Sequence, residues 1–137
     1  MIAFLDTNVL IYRIDPLAPA KQQRATELIS ALYLAGEALL STQVLQEFYN
    51  TATGKFRLSP ASAAKAAQIH AKGRLVQVTP ALIFSAMDRH AGGQYSFWDA
   101  LIVEAALAGG AGVLYTEDLQ HGQVIDGLTI TNPFLAA

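Results

Sequence analysis

Four carboxylates stand at the ends of apolar segments and are spread through most of the 137-residue chain: Asp6 in IAFLDTN, Glu47 in TQVLQEFYN, Asp99 in SFWDALI and Asp118 in LYTEDLQ. They are a large share of a small pool, because Asp and Glu together number only 11. A carboxylate set against an apolar core is costly unless a cation neutralises it. Two such groups about 4 Å apart repel by roughly 4 kcal/mol at an effective dielectric of about 20. Converging acids therefore either take up protons or bind a hard divalent cation, and all-oxygen ligation suits Mg²⁺ or Mn²⁺ rather than Zn²⁺. Such ions serve phosphoryl chemistry, activating water and neutralising the charge that builds on a scissile phosphate.

Each acid also has a purely structural use. Asp6, before Thr7 and Asn8, can cap a helix, and Asp99 follows Ser96 at the spacing of a capping box. Glu47 can be a solvated helix residue, although Leu45, Phe48 and Tyr49 beside it point to partial enclosure. Glu117 and Asp118 can be turn residues after a strand. Convergence separates the two readings, because caps have no reason to meet.

Whether the acids meet depends on the elements that carry them. Short apolar runs at 2–5, 38–40, 75–78 and 112–116, with a weaker one at 128–131, read as strands buried on both faces. Between them lie helical patterns. A short helix runs from Thr7 or Asn8 to Ile14, and a stripe of Leu28, Ile29, Leu32 and Tyr33 marks a helix over 21–34 closed by Gly36. A helix from Ser41 or Thr42 ends at Gly54. Ser59-Pro60 and Thr79-Pro80 open helices to about residues 72 and 90, and a last helix spans 96–108. Strands alternating with helices indicate a parallel sheet covered on both sides. Ligands of such sheets bind beyond the carboxyl ends of the strands, where strand order reverses. Asp6 follows the first strand and Asp118 the fourth; Glu47 and Asp99 lie in the first turns of helices at the same edge. If the fourth strand pairs beside the first, all four acids face one crevice.

The composition predicts a single domain over residues 1–137 with a substantial core, since 53% of residues are hydrophobic. A net charge of −2 argues against gripping nucleic acid by overall basicity and leaves room for a local basic rim. The chain has no cysteine, which excludes disulfides and thiolate metal sites and suits a reducing cytosol. MIAFLDTN lacks the basic region and cleavage site of a signal peptide. The apolar stretch 100–115 is interrupted by Glu104 and glycines and is short for a membrane span. A soluble cytoplasmic protein is expected.

Taken as an ordered set, the DTN after the first strand, the mid-chain Glu, the FWDALI segment and the TED turn resemble the PIN domain of ribonucleases, and more narrowly the VapC toxins of bacterial toxin–antitoxin pairs. The match covers nearly the whole chain; WDALIVEAAL and YTEDLQHGQVIDGLTITNPF carry it most closely. The resemblance implies an α/β/α sandwich around a five-stranded parallel sheet. It also implies an endoribonuclease dependent on Mg²⁺ or Mn²⁺, and a homodimer inhibited by a cognate antitoxin. Carried over by position, Asp6 and Asp99 are direct metal ligands. Glu47 and Asp118 bind through water or orient the attacking hydroxide, and Asn8 and Thr116 hold the carboxylates by hydrogen bonds. Glu117 is the rival of Asp118 for the fourth role.

Other residues invite weaker readings. His70, His90 and His121 have no metal-ligand spacing; His121, after the TED turn, is read as solvated. The glycine-rich segment 108–112 precedes a strand rather than following one, so it reads as a helix stop. Phe97 and Trp98 are assigned to the core rather than to base stacking. Arg13, Lys55 and Arg57 are candidates for phosphate contacts, and the stripe around Leu28 for a partner helix or a dimer face. Two alternative functions stand beside the nuclease: a catalytically inactive binding module of the same fold, and a phosphatase using Asp6 as nucleophile. No second Asp lies two residues after Asp6, which weighs against the latter.

Overall fold

Four of the helices begin at a hydroxyl side chain that accepts from their own first turn: Ser41 from Val44 N, Ser59 from Ser62 N, Thr79 from Leu82 N and Ser96 from Asp99 N. These caps fix where each helix leaves the sheet. The computed structural model describes residues 1–135. In chain order the elements are β1 (Ala3–Leu5), α1 (Thr7–Tyr12), α2 (Pro19–Ala35), β2 (Ala38–Ser41), α3 (Thr42–Gly54) and α4 (Pro60–His70). They continue with β3 (Arg74–Val76), α5 (Pro80–Ala91), α6 (Phe97–Ala108), β4 (Val113–Tyr115), β5 (Val124–Ile125) and β6 (Leu128–Thr131).

The sheet runs β3-β2-β1-β4-β6-β5. The chain builds outward from β1 through β2 to β3, then returns to lay β4 on the other side of β1. Ala3, Phe4 and Leu5 register with Val113, Leu114 and Tyr115 in parallel, so strand order reverses between β1 and β4. Helices α1 to α4 pack among themselves and α5 packs on α6, with both groups reaching β2, which gives helix, sheet and helix layers. Continuous apolar runs suit strands covered on both faces, and every residue of β1 and β2 is buried. The core extends from Phe4 and Leu40 through Phe48 to Leu114 and Ile130.

The fold class is the expected one, with one correction to the strand count. Five parallel strands were expected; a sixth, β5, pairs antiparallel with β6. Asp126 and Gly127 turn between them with φ of 51° and 86°, the double positive φ of a tight hairpin. The Asp-Gly signal is present in the sequence, but a two-residue strand carries no readable periodicity. The segment 108–112 is a helix stop as expected, and a side chain at Gly109 would collide with Leu39, so glycine lets the end of α6 close over β2. Leu28, Ile29 and Leu32 are consumed by the core. The exposed apolar residue of that helix is Leu34, beside a groove that Arg13, Tyr33, Ile69 and His70 also line. Among the described residues no helix is long and apolar enough to cross a membrane.

Candidate active site

Because β4 lies beside β1, the turns that follow them share one edge. Asp6 directly follows β1 and is the N-cap of α1, one carboxylate oxygen accepting from Thr7 N at 2.7 Å. The other accepts from the Thr116 hydroxyl at 2.8 Å. The structural and functional readings of Asp6 are thus not exclusive: the cap fixes the carboxylate that faces the edge. Asn8, one residue into α1 beyond Thr7, donates from Nδ2 to Thr116 Oγ1 at 3.2 Å and to Asp118 Oδ2 at 3.1 Å, tying the two turns together. Asp118 N donates to Thr116 Oγ1 at 3.1 Å, which orients the TED turn.

Glu47 enters from α3. Its Oε1 accepts from the Thr7 hydroxyl at 2.7 Å and its Oε2 faces Gln43 Nε2 at 3.5 Å. Asp99 enters from the first turn of α6, its backbone N–H held by Ser96 Oγ at 3.1 Å. All four acids line one cavity of about 340 Å³, with Thr7, Gln43, Trp98 and Ile102 among the other walls.

The electrostatics of this cavity are those of an unneutralised acid cluster. Burial pushes the Asp6 carboxyl up to about 7; the bonds from Thr116 and Thr7 oppose the shift, and the charges of Asp118 and Glu47 add to it. Asp99 is also raised, chiefly by burial, with Ser96 opposing and Asp118 adding. None of the described residues lining the cavity is Lys, Arg or His. The donor set is all oxygen and lacks a counter-charge, which fits a hard divalent cation. Among the described residues, however, no three His, Asp or Glu side chains are already gathered as a cation cage. The acids line a common cavity without closing into a cage.

Other expected residues are placed as follows. Glu117 turns away from Asp118: its carboxylate accepts from Tyr12 OH at 2.5 Å and from Lys21 Nζ at 3.0 Å. Arg13, Lys55 and Arg57 do not line the acid cavity. His121 is exposed and accepts from Asn132 N at 3.0 Å through Nδ1. His70 is buried against Phe48, 5.2 Å between ring centroids, and burial lowers its imidazole to about 4. Trp98 departs from expectation: it is 62% exposed at the mouth of the acid cavity, not in the core. The first turn of α6 aims Asp99 inward, and its neighbour Trp98 consequently faces out. Sequence reasoning also missed Thr7 and Gln43, the two donors on Glu47. Thr7 lies inside the DTN motif and reads from sequence only as the start of a short helix. Gln43 precedes Glu47 by one helical turn, a spacing that brings two side chains together on a helix face.

Comparison with known proteins bears on the family and the fold. The family model described as the PIN domain matches residues 3–125. No curated protein sequence matches the chain. Among solved structures, a toxin–antitoxin complex from Klebsiella pneumoniae aligns with a TM-score of 0.71 at 17% identity, covering 96% of this chain and 98% of that one. VapBC2 from Rickettsia felis, bound to a DNA fragment from its promoter, aligns with 0.64 at 20% identity over the same shares, 96% and 98%. VapC20 of Mycobacterium tuberculosis, described as a toxin cleaving the sarcin–ricin loop, aligns with 0.63 at 23% identity, covering 85% and 89%. At these identities the likeness is one of fold.

Proposed function

The chain belongs to the PIN domain family, and from that premise we propose that it is a metal-dependent endoribonuclease, the toxin of a toxin–antitoxin pair. The observation that carries this reading is the gathering of Asp6, Glu47, Asp99 and Asp118 on one cavity with no cationic side chain in its wall. Asp6 and Asp99 would hold Mg²⁺ or Mn²⁺, with Glu47 and Asp118 completing the acidic ring. When bound, the cation would offset charge on the phosphate and favour ionisation of water.

The chain's own residues do the positioning. Thr116 and Asn8 keep Asp6 and Asp118 at a fixed separation, and Thr7 and Gln43 hold the two oxygens of Glu47. Asp118 is exposed and Glu47 half-buried, so both can meet water entering from solvent and orient it toward phosphorus. The reaction is hydrolysis of an RNA phosphodiester. A net charge of −2 suits selection of RNA by shape and local contacts rather than by bulk attraction.

The rest of the reading follows the solved neighbours. VapC20 is described as a toxin cleaving the sarcin–ricin loop, and the two other neighbours are toxin–antitoxin complexes. The proposal therefore includes a cognate antitoxin, a homodimer, a cytoplasmic location and one domain over residues 1–137. An antitoxin arginine fits a cavity of this charge, since a guanidinium pairs bidentately with carboxylate and would displace the cation. The phosphatase alternative is weakened by Asp6, which is buried and occupied by Thr7 and Thr116, and by the lack of a lysine in the cavity wall.

The test is cleavage of structured and unstructured RNAs by the purified chain with Mg²⁺, with Mn²⁺ and with EDTA, alongside Asp99→Asn. Cleavage should require the cation and fall roughly a thousandfold in the variant, the scale of several kcal/mol of transition-state stabilisation. Cleavage that survives both EDTA and the substitution would refute the site.

A further inference from the structure

The acid cavity has a neighbour. A second cavity, of about 380 Å³, is lined by Phe97, Trp98, Leu101, Val78 and Ile83, and by Gln46 at a polar corner. Gln43 and Trp98 line both cavities, so the two adjoin at the start of α6. Its volume is that of a small-ligand site, and its make-up, apolar walls with a few amides, is what such sites use.

Two observations say what it takes. Trp98 is 62% exposed although it sits in the first turn of α6 between Phe97 and Asp99, packed edge-on against Phe97 with centroids 5.1 Å apart. An indole held on one side and open on the other, at the rim of an acidic cleft, is a stacking plate. Gln43 is the second. It is 5% exposed, its Nε2 approaches Glu47 Oε2 at 3.5 Å and Trp98 O at 3.4 Å, yet its Oε1 has no partner. A buried acceptor left unmade is costly. Gln43 lines both cavities, so a turn of this amide toward a donor brought into either of them would relieve that cost.

We propose that the Trp98 cavity is a subsite for an unpaired nucleobase of the RNA strand, stacked on the Trp98 indole with its edge offered to Gln43, next to the phosphate in the acid cavity. The inference rests on the nuclease reading and adds to it a contact for one base splayed out of the strand beside the scissile phosphate. Proteins read unpaired RNA in this way, with aromatic plates for base faces and amides for base edges. Because Trp98 immediately precedes Asp99, the base and the phosphate would be held in fixed relation by a single helical turn. A second copy of the chain is the competing occupant. Phe84 and Met87, the most exposed of the large apolar residues of α5, lie outside this cavity and offer such a contact a separate apolar surface.

Trp98 is the chain's only tryptophan, so its fluorescence reports the rim that the two cavities share. The experiment titrates the intact protein, with Ca²⁺ replacing Mg²⁺ to slow hydrolysis, with a short mixed-sequence single-stranded RNA and with its fully paired duplex. The single strand should quench the indole and the duplex should not. In steady-state cleavage Trp98→Ala should raise KM roughly tenfold with kcat changed little, and Trp98→Phe should recover most of the loss, as expected for one stacked base. Unchanged fluorescence with single-stranded RNA, or an unaltered KM in Trp98→Ala, overturns the subsite while leaving the nuclease reading intact. Sedimentation in which Trp98→Ala alone turns a dimer into a monomer assigns the surface to a second copy and also overturns it. If the wild type quenches on RNA but never cleaves it, the base subsite stands and the catalytic reading fails.

Discussion

Glu117 and Asp118 are adjacent in sequence and end in opposite electrostatic worlds. Glu117 finds a cation: Lys21 at 3.0 Å and Tyr12 at 2.5 Å hold its carboxylate, and Lys21 also stacks over the Tyr12 ring. Asp118 points into the acid cavity, where its partner is the Asn8 amide and its neighbours are other acids. The pattern of Glu117 recurs elsewhere, since Glu104 and Asp126 share Arg89 at 2.7 and 3.2 Å. Glu37, Glu104, Glu117 and Asp126 each meet a cation outside the cavity, whereas none of the four acids inside it does. A fold under stability pressure alone has no use for the second arrangement.

The sharpest way to break this contrast is stability without metal. Asp6 has its carboxyl raised to about 7 from an ordinary value of 3.8. Between those values the folded state holds a proton that the unfolded state has lost, so the Asp6 contribution to stability falls as pH rises through this window. Above about pH 7 the full cost is present, on the order of 4 kcal/mol. His70 acts with the opposite sign: lowered to about 4 from 6.5, it adds stability as pH rises through that interval. Over about pH 4 to 6.5 the two slopes oppose each other. In chelator, Asp6→Asn should therefore stabilise the protein above pH 7 by up to about 4 kcal/mol and unmask a stability that rises with pH through the acid range. Glu104→Gln, on the paired side, should destabilise by about 1 kcal/mol. Urea titrations across pH read both, and a destabilised Asp6→Asn would remove the distinction.

The next test compares the two neighbours directly. Asp118→Asn should lower kcat/KM by about a hundredfold, while Glu117→Gln should stay within about threefold because it loses only a part-exposed ion pair. Equal losses would mean that Glu117 shares the role. The smallest expected effect concerns the hydroxyl shared by the two turns. Thr116→Val keeps the buried shape and removes the bond to Asp6; cation affinity, read by calorimetry, should weaken roughly tenfold. An unchanged affinity would show that Thr116 serves the fold rather than the site.

Much of this was legible from residue order. Hydroxyl caps, prolines at first helical turns and glycine stops mark the helices, and continuous apolar runs mark the buried strands. The motif DTN and the acids at element ends mark the candidate site. Less legible were features set by contacts distant in sequence. Thr7 and Gln43 look like an ordinary cap and an ordinary helix residue until β1 and β2 bring α1 and α3 together on Glu47. The outward face of Trp98 is invisible in a helix that is hydrophobic nearly all round.

The sequence by itself determined the alternation of strands and helices, the four acids at their ends and the absence of sulfur ligands, because these depend on local periodicity and residue chemistry. Only the tertiary structure decided that the acids share one cavity, that Glu117 leaves it for Lys21, and that Trp98 stands at its rim. Each of those outcomes depends on β4 pairing beside β1 and on α6 crossing over β2. Such pairings join residues about a hundred positions apart (Asn8 to Asp118 among them), and no local pattern in the chain encodes that distance.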